Sequence, residues 1–126
     1  MSDENLTQEG AITGSPLFMS PEQAAGDLDL DGRSDVYSMG AVLYYLLTGN
    51  APFPYDKPLK ILAAHIHEQP PSPRQSRPEL DEDLEQIVTR CLAKSPAERF
   101  QTADELGEAL ARCHDAGNWN WHEAEA

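Results

Sequence analysis

The sequence predicts an all-α fold, and three observations support this prediction. Apolar residues recur at spacings of three and four in several segments, which is the period of a helix with one buried face. Helix-start signals, in which a Ser or Thr cap is followed three residues later by Gln or Glu, occur three times. No segment sustains the apolar and polar alternation that is typical of a half-buried strand.

The first half of the chain is predicted to hold a short helix and a long central helix. The short helix begins after the cap residue Ser20 and ends by Gly26. The central helix runs from Ser34 or Asp35 to Leu47 and is apolar on nearly every face. A surface helix could not tolerate that pattern, so we expect this helix to be buried.

The next helix is predicted to begin at a cap, Asp56, and to pack through one face. The residues of that face lie at spacings of three and four: Leu59, Leu62, Ala63 and Ile66. Four prolines then follow within residues 69–78, so this segment is predicted to be an extended surface loop without a helix.

Two further helices are predicted in the last third of the chain. The first starts near residues 79–81, ends by Lys94, and has the clearest amphipathic pattern, with Leu84, Ile87, Val88, Cys91 and Leu92 on one face. Ser95 and Thr102 are predicted helix caps. The final helix is expected to bury Leu106, Ala109, Leu110 and Cys113.

Composition excludes several classes of function. The chain has 126 residues, with 9 Lys and Arg against 22 Asp and Glu, and its formal charge is −13. A nucleic-acid partner is not expected, because binding phosphate backbones requires a basic surface. No apolar run reaches the ~20 residues that span a bilayer, and the N-terminus does not resemble a signal peptide. We therefore expect a cytoplasmic protein without a membrane segment.

The sequence does not predict a metal site. Cys91 and Cys113 lie on apolar helix faces, where a thiol usually behaves as a small hydrophobic group. Residues 27–32 (DLDLDG) match the opening of a calcium-binding loop, in which alternate carboxylates surround the ion. The twelfth position of such a loop needs a bidentate Glu, but it falls on Ser38. We interpret this segment as an acidic surface loop.

The order of three motifs resembles the C-terminal lobe of a serine/threonine protein kinase, most like the bacterial type. The motifs are GSPLFMSPEQ at 14–23, RSDVYSMGAVLYYLLTGNAPF at 33–53 and CLAKSPAERF at 91–100. The resemblance covers roughly residues 7–113. It implies an activation-segment remnant with the substrate-binding loop at 1–22, a helical C-lobe at 23–114, and a tail at 115–126 that is predicted to be disordered.

The resemblance also assigns roles to individual residues. It places the substrate-binding loop on Gly14, Ser15, Pro16, Leu17, Phe18 and Met19. The closing glutamate of the activation segment falls on Glu22, and the arginine with which it usually pairs falls on Arg99. A bidentate, charge-assisted pair between these two side chains is expected, although each alone could be an exposed charge.

Three other residues receive roles with an open alternative. Asp35 resembles the aspartate that accepts hydrogen bonds from the catalytic loop, but it could merely cap the central helix. Thr7 and Thr13 are candidate phosphorylation sites, since a phosphate there could recruit arginines, or they are ordinary loop hydroxyls. Ser15 falls where the family has a Ser or Thr that contacts the catalytic aspartate.

The parts that perform phosphoryl transfer are missing from the sequence. There is no glycine-rich GxGxxG loop, and no HRD or DFG triplet occurs. The chain alone is therefore expected to be inactive and to hold no cofactor, while ATP and magnesium are implied for the complete kinase, which acts on protein substrates.

Two functional classes follow. The chain is either the substrate-side part of a kinase whose nucleotide-binding lobe lies upstream, or an independent helical interaction module. In both cases, the side of the chain that the missing half of a kinase would cover is expected to expose apolar surface.

Overall fold

The structure, a computed structural model, describes residues 15–113. No strand occurs within these residues, which confirms the all-α prediction for the described range. Its elements are α1 (Pro21–Ala24), α2 (Gly32–Thr48), α3 (Pro58–His67), α4 (Pro73–Ser76), α5 (Glu82–Cys91), α6 (Ala103–Arg112) and the 3-10 turns Pro16–Phe18 and Pro96–Glu98. The expectations for residues 1–14 and for the tail lie outside the described residues.

The start of α1 is a capping box, as its sequence predicts. The Gln23 N–H donates to the Ser20 hydroxyl at 3.1 Å, and the Ser20 N–H donates to the Gln23 side-chain oxygen at 2.9 Å. Two backbone donors that a helix start leaves free are thereby satisfied. This local signal fixes where α1 begins, directly after the segment 15–19.

Helix α2 begins earlier than predicted, and it is not buried on every face. Its cap is Asp31, whose carboxylate accepts from the Arg33 N–H at 2.9 Å, so Asp35 is not the cap. Buried Val36 and Tyr37 lie on the side of α2 that faces the other helices. The opposite side leaves Val42 41%, Tyr45 47% and Leu46 67% exposed, so the prediction of burial on every face is wrong there. The expectation of exposed apolar surface is confirmed by the same residues.

The core lies where α2 packs against α5 and α6. One group of buried residues comprises Val36, Ile87, Cys91, Phe100, Leu106 and Cys113, and another comprises Tyr37, Ala41, Tyr44, Val88 and Leu92. The predicted apolar face of α5 therefore packs as expected. Both cysteines are buried and neither forms a disulfide bond, and burial raises the pKa of Cys91 to about 12, in agreement with their predicted role as small hydrophobic groups.

A glycine permits the close approach of α2 and α5. A Cβ atom built on Gly40 would lie 2.3 Å from the Cβ atom of Cys91, which is closer than two carbon atoms that are not bonded to each other can approach. The two helices can cross at this distance only because position 40 has no side chain. No local pattern in the sequence indicates this requirement.

Helix α3 buries a different face from the predicted one. Its buried residues are Ile61, Ala64 and His65, whereas Leu59 is 80% exposed. The apolar spacing was misleading because a histidine occupies a buried position, where hydrogen bonds compensate for its polarity. The cap prediction at Asp56 is also wrong, since the cap position is Lys57 and it makes no side-chain cap bond.

The remaining differences concern short elements. Helix α4 (Pro73–Ser76) lies within the segment that was predicted to contain no helix, because proline is compatible with the first turn although it breaks a helix interior. Ser95 precedes only a 3-10 turn and makes no cap bond. Thr102 does cap α6, through the Glu105 N–H at 3.0 Å. Among residues 15–113, no helix has the length and apolar character needed to cross a bilayer.

Candidate functional site

The segment that precedes α1 is a tight 3-10 turn (Pro16–Phe18) followed by a buried anchor. The Leu17 N–H donates to the Ser15 hydroxyl at 3.2 Å, which caps the turn, and the Phe18 N–H donates to the Ser15 carbonyl at 3.1 Å. Ser15 itself is exposed, while Met19 is only 5% exposed. The turn packs against α2 and α3, so its backbone is held between two helices.

Arg99 is the largest fully buried side chain in the described residues. Its five N–H donors make five hydrogen bonds. Two go to the carboxylate of Glu22, at 2.6 and 2.9 Å, and the other three go to the backbone carbonyls of Arg33, Ala93 and Lys94. A guanidinium can be buried at acceptable cost only when all of its donors are satisfied, as they are here.

Glu22 completes this ion pair from the first turn of α1. Its side chain is 13% exposed, and it also accepts a hydrogen bond of 2.6 Å from the Ser34 hydroxyl. Burial raises the pKa of Glu22, but the hydrogen bonds from Arg99 and Ser34 outweigh burial, so the net pKa lies below its ordinary value of 4.5. The carboxylate is therefore charged at neutral pH. Through Ser34 and Arg99 it joins α1 to the start of α2 and to the segment between α5 and α6.

His65 makes a second connection to the same turn. Its Nε2 atom lies 3.1 Å from the Leu17 carbonyl oxygen, and its Nδ1 atom lies 2.8 Å from the Tyr37 hydroxyl. The ring is fully buried and stands edge to face with Phe53 and Tyr37. Sequence reasoning missed this residue. The available signal was its place beside Ala64 and four residues after Ile61, on the shorter apolar face of α3.

Lys94 lies beside this aromatic cluster. Its ammonium group donates to the His65 carbonyl at 2.9 Å and stands 5.0 Å from the centre of the Phe53 ring. Burial, together with the nearby charge of Arg99, lowers the pKa of Lys94 to about 8. Two cations, Lys94 and Arg99, therefore lie close together. Arg99 donates to the Glu22 carboxylate, whereas Lys94 donates to a backbone carbonyl.

Asp35 lies at the edge of an open groove. The groove has a volume of about 660 Å³ and is mostly apolar, with Asp35, Ser38, Met39, Val42, Leu43, Leu106 and Leu110 along its walls. Asp35 is exposed in the first turn of α2. Asp35 therefore lines the groove with an exposed carboxylate, and its role as an anchor for the catalytic loop stays a prediction.

The other residues singled out by the sequence have simpler outcomes. Asp31, from the calcium-like segment, caps α2 and pairs with Arg33, and the next residue is already helical. No group of three or more His, Cys, Asp or Glu side chains within residues 15–113 could hold a metal ion. Gly14 and the two candidate phosphorylation sites, Thr7 and Thr13, lie outside the described residues.

Comparison with known proteins identifies the class to which this helical domain belongs. The chain matches the protein kinase domain family over residues 3–110. Because this match covers most of the sequence, the chain belongs to the protein kinase family. Its helical architecture corresponds to the C-terminal lobe of that fold, as the order of the three motifs predicts.

Its relatives are bacterial serine/threonine kinases. Serine/threonine-protein kinase PknB of Mycobacterium tuberculosis is 44% identical over 114 residues, which cover 90% of this chain and 18% of that protein. A probable serine/threonine-protein kinase of Streptomyces coelicolor, SCO3848, is 40% identical over 114 residues, covering 90% of this chain and 17% of that protein. The kinase PksC of S. coelicolor is 42% identical over 103 residues, covering 82% and 18%. The chain thus spans less than a fifth of each relative's length.

Proposed function

We propose that this chain is the substrate-side lobe of a serine/threonine protein kinase that works in the cytoplasm. In the complete enzyme, a phosphoryl group passes from ATP to a Ser or Thr hydroxyl of a protein substrate. This chain supplies the substrate-binding loop (residues 14–19) and the helical support beneath it. It transfers no phosphate alone, because it has no glycine-rich loop, HRD or DFG triplet.

The observation that carries this proposal is the buried ion pair directly after the loop. Arg99 uses two donors on Glu22 and three on carbonyls of two other segments, so the end of the loop is tied to α2 and to the segment after α5. A loop that must present a substrate hydroxyl within a few tenths of an ångström needs such rigid support. The similarity to named kinases favours this reading over an independent interaction module.

Asp35 and Ser15 have distinct roles in this proposal. Asp35, exposed at the edge of the apolar groove, accepts backbone hydrogen bonds from the catalytic loop, which lies in the groove in the complete enzyme. The Ser15 hydroxyl already accepts from the Leu17 N–H, and its own hydrogen remains able to donate to a catalytic carboxylate. Thr7 and Thr13 are proposed phosphorylation sites, at which a phosphate would recruit arginine side chains.

The residues that the structure describes, 15–113, do not fit ATP or magnesium. No metal-binding cluster lies in residues 15–113, and the nucleotide-binding motifs are missing from the sequence. We therefore assign nucleotide and metal binding to the upstream lobe of the complete kinase. The contribution of this chain is to hold and orient the protein substrate.

A chimeric kinase tests the proposed substrate class. Residues 3–110 of this chain would replace the matching segment of the M. tuberculosis relative, and the chimera would be assayed with labelled ATP. Three peptides that differ only in the acceptor residue, Ser, Thr or Tyr, would serve as substrates. We expect transfer to the Ser and Thr peptides and none to the Tyr peptide. A folded chimera that phosphorylates the Tyr peptide equally well would contradict the proposal.

A further inference from the structure

We infer that His65 is a positioning residue for the substrate-binding loop, which it holds through a hydrogen-bond relay from Tyr37 to the Leu17 carbonyl. The inference rests on the proposed function of that loop. The relay is a second support for the loop, separate from the Glu22–Arg99 ion pair. It acts on the middle of the loop, whereas the ion pair acts after its end.

The two contacts of the ring fix its tautomer. A backbone carbonyl can only accept, so the Nε2 atom, 3.1 Å from the Leu17 oxygen, must carry the hydrogen. In a neutral ring the Nδ1 atom is then an acceptor, and the Tyr37 hydroxyl, 2.8 Å away, must donate to it. Both ring nitrogens are satisfied, which is the condition for burying a histidine completely.

The surroundings of the ring favour the neutral form. The rings of Phe53 and Tyr37 stand edge to face with it, and the Lys94 ammonium donates to the His65 carbonyl at 2.9 Å. Burial, and then the charge of Lys94, lower the pKa of His65 to about 4. The neutral ring carries only one ring hydrogen, so the Leu17 carbonyl, which can only accept, sets the direction of the relay and Tyr37 donates to Nδ1.

The relay and the ion pair meet at Tyr37. The guanidinium of Arg99 stands 5.0 Å from the centre of the Tyr37 ring, while the hydroxyl of the same side chain orients His65. Tyr37 is fully buried in α2. One residue of the central helix therefore contacts both the relay and the ion pair, and removing its hydroxyl alone should loosen only the His65 connection.

Tyr37→Phe is the test variant, and Tyr44→Phe is its matched control. Both residues are buried in α2, and each hydroxyl makes one hydrogen bond of 2.8 Å, but the partner of Tyr44 is the Pro71 carbonyl, which is not part of the loop. Each variant loses one buried hydrogen bond, so a general loss of stability would be similar in both. Only Tyr37→Phe should affect the loop.

The first measurement is made on the full 126-residue chain. Long-range proton–nitrogen correlation spectra at pH 7 should show His65 as the neutral Nε2–H tautomer, assigned by its loss in His65→Gln. Amide exchange at Phe18 and Met19 should be about tenfold faster in Tyr37→Phe than in Tyr44→Phe, as expected for one lost buried hydrogen bond. An Nδ1–H tautomer, a charged ring, or equal exchange in the two variants would overturn the inference.

The second measurement uses the chimera described above. Tyr37→Phe should raise KM for the Ser peptide several-fold while kcat and KM for ATP stay close to those of Tyr44→Phe, because the loop contacts the peptide and not the nucleotide. An unchanged peptide KM in an active chimera would overturn the positioning role and leave the proposed function standing. An inactive chimera with the expected tautomer and exchange would contradict the proposed function instead.

Discussion

Glu22→Gln tests the buried ion pair with the smallest change of shape. The substitution removes the negative charge and leaves one oxygen, so only one of the two Arg99 donors keeps an acceptor, and the new amide N–H₂ faces a cation. Arg99 is fully buried and Glu22 is 13% exposed, so water cannot compensate. Breaking a buried pair of this kind costs about 3–5 kcal/mol. Arg99 keeps three carbonyl acceptors, which favours the lower end, about 3 kcal/mol.

Urea unfolding of the chain, followed by far-ultraviolet circular dichroism, measures this loss. A loss of about 3 kcal/mol is a large share of the roughly 5–15 kcal/mol that stabilise a typical domain. Asp31→Asn is the matched control: it also removes a carboxylate from an arginine pair, but the pair is exposed and Asn still caps α2. We expect its unfolding midpoint to stay almost unchanged.

A double-mutant cycle separates the pair from other effects. Arg99→Met leaves the Glu22 charge buried without its main partner, whereas the double variant removes both charges, so the double variant should lose less stability than the sum of the single losses. A loss below about 1 kcal/mol for Glu22→Gln, the range of an exposed pair, would refute the reasoning.

The pH dependence of the free energy of unfolding gives a further check on the ion pair. The pKa of Glu22 is lowered in the fold, so its contribution is present above pH 4.5 and disappears as the pH falls below that value, and Glu22→Gln should lack this component.

Three other predictions concern titration and packing. The pKa of His65 is about 4 in the fold against an ordinary 6.5, so the free energy of unfolding should fall as the pH is lowered from 6.5 to 4.5, and His65→Gln should lose this slope in urea titrations at each pH. Burial lowers the pKa of Lys94 from 10.5 to about 8, so the free energy of unfolding should rise between pH 8 and 9. Urea titrations of Lys94→Met at each pH should show no such rise. Gly40→Ala should destabilise the chain by about 1–3 kcal/mol in urea unfolding because its Cβ would overlap Cys91. Gly107→Ala, whose Cβ meets no atom within 4 Å, is the control and should stabilise α6 by up to about 1 kcal/mol; similar effects at both positions would contradict the close helix crossing.

The sequence predicts the parts of the fold whose signals are local. The capping box at Ser20 forms as expected because its two hydrogen bonds involve residues only three apart. The apolar face of α5 is buried as expected because its period matches the helix. The ion pair between Glu22 and Arg99 joins residues 77 positions apart. Only the family resemblance, and no local pattern, could suggest that these two side chains meet.

The wrong predictions have physical causes that the spacing of apolar residues along the chain does not indicate. Helix α3 buries His65 and exposes Leu59 because a buried polar ring is acceptable once both nitrogens have partners, and those partners come from two distant segments. Hydrophobicity alone predicted that α2 is buried all round, but Leu46 is 67% exposed. The close contact at Gly40 depends on where α5 crosses α2, which is a property of the tertiary structure.

Phosphotransfer from labelled ATP to a generic protein substrate, by this chain alone and by the chimera with the M. tuberculosis relative, tests the central claim most directly. The claim is that this chain supplies the substrate side of a kinase and depends on another lobe for nucleotide chemistry. It predicts that the chimera transfers phosphate and that the chain alone does not. Activity of the chain alone would contradict the claim, and so would a folded chimera that shows none.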